Sequence, residues 1–455
     1  MIFKRNISER LLEWKSTSNG RTALLIEGAR RVGKTTIVKE FVSKNYSSSI
    51  YIDFSDTKRS FTKNVRETFE DSDGLEDFFN RLMLLFSVRL EMRKSAIVFD
   101  EVQKYPAARE MIKVLVDDGR YDYIETGSLI SPKKNSRFIL IPSEEEVVEM
   151  FPLGFDEFMV AIGEDMLQEH IRQSFSDAKP LADGLHRKAM RLFRTYMAVG
   201  GMPQSVSAYV ESSDYHACDR IKKNIINLYR EDLEKISFKR ASVSPLIIYD
   251  RMQSLYYNHG FEIRASEFSK STRLQACLNS VSELEKSKTV NVAYDVINVD
   301  PTLSLSYDMS DVKVYSSDTG LLVSRIFYDS KFEDNLLYKS LILDKMSANE
   351  GFLFENVVAQ MLRCSGFALK YNTFYNGDSK NRREIDFLIA KGKKIYPIEV
   401  KSSSYRTHTS IDEFCEKHRQ YIGGSYIIYS KGMQTEDVGG KYVRTYLPFY
   451  MVFCL

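Results

Sequence analysis

The chain has 455 residues and a formal net charge of +2, a length for roughly two to four domains with cores of their own. The near balance of charge excludes a global basic field as a basis for nucleic-acid binding and leaves only local patches. Five cysteines, at 218, 277, 364, 415 and 454, form no C-x-x-C, which speaks against a disulfide framework or zinc site and for a reducing, cytoplasmic setting. The polar start, Met1 to Arg10, predicts no signal peptide, and no run of ~18 apolar residues predicts a membrane span.

Residues 5–16 read as a short helix with Leu11, Leu12 and Trp14 on or near one face. Strands and helices then alternate: strand 23–27, helix 34–44, strand 50–54, helix 75–93, strand 96–100, helix 107–118, strands 121–126 and 147–150. This order predicts an α/β fold, with a parallel sheet covered by helices on both faces and a ligand at the carboxyl ends of the strands.

Between the first strand and the next helix lies Gly28-Ala29-Arg30-Arg31-Val32-Gly33-Lys34-Thr35, with Thr36 following. This is G-x-x-x-x-G-K-[ST] in its strand–loop–helix setting, the P-loop pattern for a nucleoside triphosphate. The glycines let backbone N–H groups face phosphate oxygens, and the helix start adds its positive end. Lys34 reaches the β- and γ-phosphates, and the Thr35 hydroxyl suits Mg²⁺. Arg30 and Arg31 fit a phosphate contact or a solvated loop equally. The apolar strand Ser95-Ala-Ile-Val-Phe ends in Asp100 and Glu101. Asp100 fits the acid that holds Mg²⁺ through water and Glu101 the base that polarises the attacking water, so the pair predicts hydrolysis of ATP. Thr126 or Ser128, at the end of the strand between these two, can present a hydroxyl to the γ-phosphate or serve as a cap or turn.

From Pro152 to about Ser244 the pattern is helical: Met190, Phe193, Tyr196 and Met197, then Ile221, Ile225, Leu228 and Leu233, recur at three- or four-residue spacing, and Gly200-Gly-Met-Pro203 interrupts them. The reading is a helical lid. Helices 245–258, 264–269 and 272–287, with strands 290–296 and 312–315, suggest a winged-helix-like unit. Its Lys270, Arg273, Lys286 and Lys288 fit a DNA surface, or the unit is a packing module.

The last segment starts near 349. A helix carries Glu355; a strand–turn–strand then carries Asp386, the basic turn Lys391-Gly-Lys-Lys394 and Glu399-Val-Lys401, and Phe449 to Leu455 reads as a final buried strand. Alternation puts Glu399 and Lys401 on one face. Asp386 and Glu399, with Glu355, offer oxygen ligands to Mg²⁺ or Mn²⁺, and Lys401 can steady charge on an attacked phosphate. A nuclease-type fold is expected; the alternative is a solvated strand face with an ordinary ion pair.

The sequence resembles a prokaryotic family of AAA-type ATPases with a C-terminal domain of unknown function, number 4143. The matching stretches are Glu27 to Thr36, Phe99 to Pro106, Thr126-Gly-Ser128, Phe151 to Phe158, Gly200 to Pro203, Lys313 to Leu322, Gly351 to Val358, Glu384 to Phe387 and Ile398 to Ser402. The resemblance implies a cytosolic ATPase with Lys34 and Thr35 on phosphate and Mg²⁺, Asp100 as the Walker B acid and Glu101 as the catalytic glutamate. It implies a restriction-endonuclease-like C-terminal part with Asp386, Glu399 and Lys401 at its centre. Many relatives carry Leu-Ala-Gly-Arg after Thr-Gly-Ser, where this chain reads Lys133-Lys-Asn-Ser-Arg-Phe138, leaving Arg137 as the candidate finger. Ile385 stands where that nuclease superfamily often has proline.

Four parts are therefore expected: a P-loop core (1–155), a helical lid (156–244), a winged-helix-like domain (245–330) and a restriction-endonuclease-like domain (331–455). Two functions follow: ATP turnover coupled to DNA binding or processing through the nuclease-like domain, or a nucleotide switch that docks a protein partner, with a catalytically silent C-terminal domain; a partner protein or another copy of the chain is expected.

Overall fold

The computed structural model describes residues 1–56, 59–128, 144–236, 243–264, 268, 273–303, 307–326, 341, 351–375, 382–402 and 407–455. They form two compact units, Met1–Phe151 and Pro152–Leu455.

In the first unit, α1 (Ile7–Ser18) precedes β1 (Ala23–Glu27), α2 (Lys34–Asn45) and β2 (Ser48–Asp53). Then come α3 (Arg59–Glu70), α4 (Gly74–Phe86), β3 (Ser95–Asp100), α5 (Pro106–Asp118), β4 (Asp122–Gly127) and β5 (Glu145–Glu149). The strands make one sheet in the order β2-β3-β4-β1-β5, and every pairing is parallel. β3 and β4 are buried along their whole length, as a sheet with both faces covered requires. A core of Ile50, Ile52, Ile97, Phe99, Phe78, Phe79, Ile112 and Leu115 lies between the sheet and α4 and α5. The sequence reading gives one long helix at 75–93; the structure ends α4 at Phe86, where Ser87 turns left-handed at φ 53°. It also adds α3, which an apolar count missed because the helix is polar on average and strongly one-sided.

In the second unit, α6 (Phe155–Ala161), α7 (Asp165–Ser176), α8 (Asp183–Val199), α9 (Pro203–Ser212) and α10 (Tyr215–Ile236) come first. The predicted face of Met190, Phe193, Tyr196 and Met197 is buried. Next are α11 (Pro245–His259), α12 (Leu274–Lys286), β6 (Val290–Val296), β7 (Tyr307–Ser316) and α13 (Thr319–Ile326). The end contains α14 (Phe352–Cys364), β8 (Lys370–Tyr375), β9 (Arg382–Ile385), β10 (Phe387–Lys391), β11 (Lys394–Val400), α15 (Thr409–Lys417), β12 (Ser425–Tyr429), β13 (Gln434–Asp437) and β14 (Val443–Pro448).

β6 and β7, expected as the wing of a separate domain, belong to a four-stranded sheet in the order β7-β6-β8-β9. β6 pairs with β8 in parallel at Tyr294 and Asp295, so this sheet crosses the boundary placed at 330. The short helix expected at 264–269 falls mostly outside the described residues. A second sheet runs β10-β11-β12-β14-β13. The expected final strand is a 3-10 helix, Phe449–Cys454. Its first five residues are buried, so the apolar run signalled burial rather than a strand, and Pro448, closing β14, has no N–H to continue a ladder.

A buried polar centre holds the second unit together. Asp318 accepts hydrogen bonds from the N–H groups of Gly201 (2.6 Å) and Leu321 (2.8 Å). Gln360 donates to the Tyr196 hydroxyl at 2.8 Å, and Tyr196 donates to the Leu153 carbonyl. These bonds join the Gly200–Pro203 break, the turn before α13 and α14, so those segments act as one buried joint.

Candidate functional site

The loop from β1 to α2 is shaped by two glycines. A Cβ on Gly28 would stand 2.3 Å from the Met150 carbonyl oxygen, and Gly33, at φ 104°, turns the chain into α2. Val32 is fully buried and anchors the loop from within. Arg5, itself buried, donates to the Val32 carbonyl at 3.0 Å and to the Phe151 carbonyl at 2.7 Å. Arg31 is exposed and left-handed at φ 70°, and Arg30 is half-buried.

Lys34 is 5% exposed and donates to the carbonyls of Gly28 (2.9 Å) and Ala29 (3.0 Å). Burial lowers its pKa, and the charges of Glu101 and Asp100 partly oppose that. Its acceptors are neutral, so an arriving phosphate is the better partner. The Thr35 hydroxyl meets the Asp100 carboxylate at 3.0 Å. The Asp100 carboxylate also accepts from the hydroxyls of Tyr51 and Thr126. Thr126 also accepts the Glu101 N–H at 3.3 Å, so its hydroxyl already serves the acids rather than standing free. Glu101 is left-handed at φ 56°. Gln103 donates to Glu101 Oε2 at 2.6 Å and to Ser128 Oγ at 3.2 Å. The P-loop residues, Asp100, Glu101, Thr126 and Ser128 thus converge at the carboxyl ends of β1, β3 and β4. Thr36 follows within α2. The finger candidate Arg137 lies outside the described residues.

The C-terminal candidates divide. Glu399 pairs with Lys401 at 2.5 Å, as strand alternation predicted. Asp386, between β9 and β10, accepts the Val400 N–H at 2.7 Å. Burial and the nearby charge of Glu355 raise its pKa well above the carboxylate range. Lys313 on β7 enters that group, pairing with Glu384 at 2.5 Å and approaching Glu355 at 3.6 Å. Tyr315 donates to Glu355 at 2.8 Å. Burial works against the Lys313 charge, but Glu355, Glu384 and Asp386 outweigh it and its pKa rises. Among the described residues, no group of three or more His, Cys, Asp or Glu stands where it could hold a metal ion. Of the acids read as a metal set, Glu355 lies close to the Lys313 ammonium, whose charge Glu355, Glu384 and Asp386 together favour.

An AAA domain model matches residues 20–159, and the model of a domain of unknown function, DUF4143, matches 350–450. The chain carries an AAA domain and a C-terminal DUF4143 domain. Between them, 190–331 match another domain of unknown function, DUF8612. An uncharacterized protein of Methanocaldococcus jannaschii is 22% identical over 377 residues, 80% of this chain and 71% of that protein. Among solved structures, a Walker-type ATPase of Pyrococcus abyssi is similar at 15% identity and a TM-score of 0.42, covering 71% of this chain and 96% of that one. The ORC1 protein of Aeropyrum pernix, solved in complex with DNA, gives 13% identity and a TM-score of 0.29, covering 72% and 93%.

Four residues around these sites escaped the sequence reading. Tyr51 in the AAA domain alternates with buried Ile50 and Ile52, a pattern that places it on a face without naming its partner. Gln103 and Lys313 both sit in stretches named only for their family likeness, and neither was given a role. Arg5 gave no signal at all.

Proposed function

We propose that the AAA domain binds ATP with Mg²⁺ and hydrolyses it. The carrying observation is the meeting of Thr35 and Asp100 at 3.0 Å beside Lys34, hard oxygen donors next to a buried ammonium. Thr35 and Asp100 would hold Mg²⁺, which when bound neutralises charge on the phosphates. Lys34 exchanges its two carbonyls for the β- and γ-phosphate oxygens. Backbone N–H groups of residues 28–35 cradle the phosphates, and Glu101 accepts the proton of the attacking water. The test is phosphate release from ATP with and without Mg²⁺ by the wild type and Glu101→Gln. Turnover by Glu101→Gln at the wild-type rate would remove Glu101 from the role of base.

For the whole chain, the better-supported reading is a nucleotide switch that docks a protein partner, with a catalytically silent DUF4143 domain. The observation favouring it is Lys313 among the carboxylates. The second reading, DNA binding or processing by a restriction-endonuclease-like domain, draws on local basic residues. Arg273, Lys286, Lys393 and Lys394 are exposed, Lys391 lies over the rings of Tyr396 and Tyr426, and Lys270 lies outside the described residues. One assay separates the two: ATP turnover with and without DNA, the DNA then run on a gel. DNA-stimulated turnover with salt-sensitive binding supports the second reading; cut DNA refutes the silent domain.

A further inference from the structure

We infer that Gln103 is a positioning residue for ATP hydrolysis, holding the carboxylate of Glu101 by one oxygen and tying it to Ser128. This rests on the reading of the AAA domain as an ATPase with Glu101 as base. Gln103 lies in the short 3-10 helix Val102–Lys104 that follows Glu101. Its Nε2 donates both to Glu101 Oε2, at 2.6 Å, and to Ser128 Oγ, at 3.2 Å. One side-chain amide thus bridges the residues that follow β3 and β4, the two strands that bring Asp100 and Thr126 to the site.

Two features mark this as a built contact. Gly127 has no side chain, and a Cβ there would stand 3.2 Å from Gln103 Oε1, so the bare backbone of β4 makes room for the amide. That Oε1 atom is buried and has no partner among the described residues. An unpaired buried acceptor is costly, and the two hydrogen bonds donated by the same amide offset that cost.

The chemistry follows from which oxygen is held. A freely rotating glutamate samples several rotamers, and only some direct an oxygen at the attacking water. With Oε2 held by Gln103, and the backbone N–H of Glu101 held by Thr126, the carboxylate has one orientation. Oε1, which has no hydrogen bond among the described residues, is the oxygen left to accept the proton. Ser128 is the other end of the bridge, so a shift of β4's end toward a bound γ-phosphate is passed to the base. Gln103 touches neither water nor phosphate in this scheme and acts only through Glu101.

The experiment compares wild type, Gln103→Ala, Gln103→Glu and Glu101→Gln, with each Gln103 change also placed in the Glu101→Gln background. Steady-state turnover is measured alongside binding of a fluorescent ATP analogue. Gln103→Ala should lower kcat by about 10- to 100-fold with KM and analogue affinity within about twofold of wild type. Gln103→Glu fills the same volume but replaces the donor with a second carboxylate, and should lose at least as much. In the Glu101→Gln background neither change should cost more, because the group being positioned is gone. Gln103 variants with wild-type or raised kcat, or with equal losses whether or not Glu101 is present, overturn the inference while leaving the ATPase standing. A wild-type protein that binds the analogue and does not hydrolyse ATP refutes the underlying reading instead.

Discussion

Lys34 and Lys313 both stand near acids, and their surroundings differ. Lys34 in the AAA domain gives its hydrogen bonds to two backbone carbonyls, while the acids Asp100 and Glu101 bond to Thr35, Tyr51 and Gln103. Lys313 in the second unit is paired directly with Glu384 and approaches Glu355. The first arrangement leaves a cation on weak, neutral acceptors that an anionic ligand can displace. The second has already satisfied its cation with carboxylates, and a ligand gains little by entering. In this chain the exchangeable partners of Lys34 suit a ligand site, and the carboxylate partners of Lys313 suit a structural role.

The largest expected effect breaks the comparison at its open end. Lys34→Ala should reduce ATP turnover on the order of a thousandfold or more, since the transferring phosphoryl group loses a directly placed positive charge. A phosphate-release assay reads this. Turnover within about tenfold of wild type would mean that Lys34 is structural, like Lys313.

The closed end is tested by stability. Lys313→Met should destabilise the protein by roughly 3 kcal/mol, the low end of the range for breaking a buried pair, because Glu384 remains one-third exposed. Urea unfolding of the full chain gives the value. A loss below about 1 kcal/mol would show that the carboxylates do not need this ammonium, and the case for a silent DUF4143 domain would fall with it.

A smaller effect sharpens the open site. Tyr51→Phe removes one donor to Asp100 and should weaken Mg²⁺-dependent turnover by about tenfold, the equivalent of one hydrogen bond to a charged group. The rate should recover toward wild type as Mg²⁺ is raised, because the defect lies in holding the acid that faces the metal. A deficit independent of Mg²⁺ concentration would separate Tyr51 from that acid.

How much of this was legible in the sequence follows from which interactions are local. The P-loop, β3 and the acids at its end were readable because each needs a fixed residue type at a fixed spacing, and the parallel sheet followed from their alternation. Gln103 and Tyr51 were not, since an amide or a phenol gains its role from a partner brought by another strand. The reading of Glu399 with Lys401 succeeded because the two lie on one strand. The approach of Lys313 to Glu355 and Glu384 was not legible, because Lys313 comes from β7, about seventy positions before Asp386 by number, where no spacing rule links them. The wing likewise dissolved into a larger sheet because β6 finds β8 across a long separation.

The smallest expected effect is a proton. In the free protein, burial lowers the pKa of Lys34, with Glu101 and Asp100 partly opposing. A bound triphosphate brings several negative charges to the ammonium and raises that pKa. Below the lowered free-state value Lys34 is charged in both states, and this group gives affinity no pH dependence. Above it, and up to the bound-state value, the complex carries more protons than the free protein, so binding takes up a fraction of a proton and affinity falls as pH rises. Calorimetry with a non-hydrolysable ATP analogue over a pH series above about 8, in two buffers of different ionisation enthalpy, measures the uptake directly; phosphate groups, with a second pKa of about 6, are then ionised and contribute none. Lys34→Arg, which keeps its charge throughout this range, should bind without uptake. Equal uptake by wild type and Lys34→Arg would place the proton elsewhere, and the burial of Lys34 would then have no consequence for nucleotide affinity.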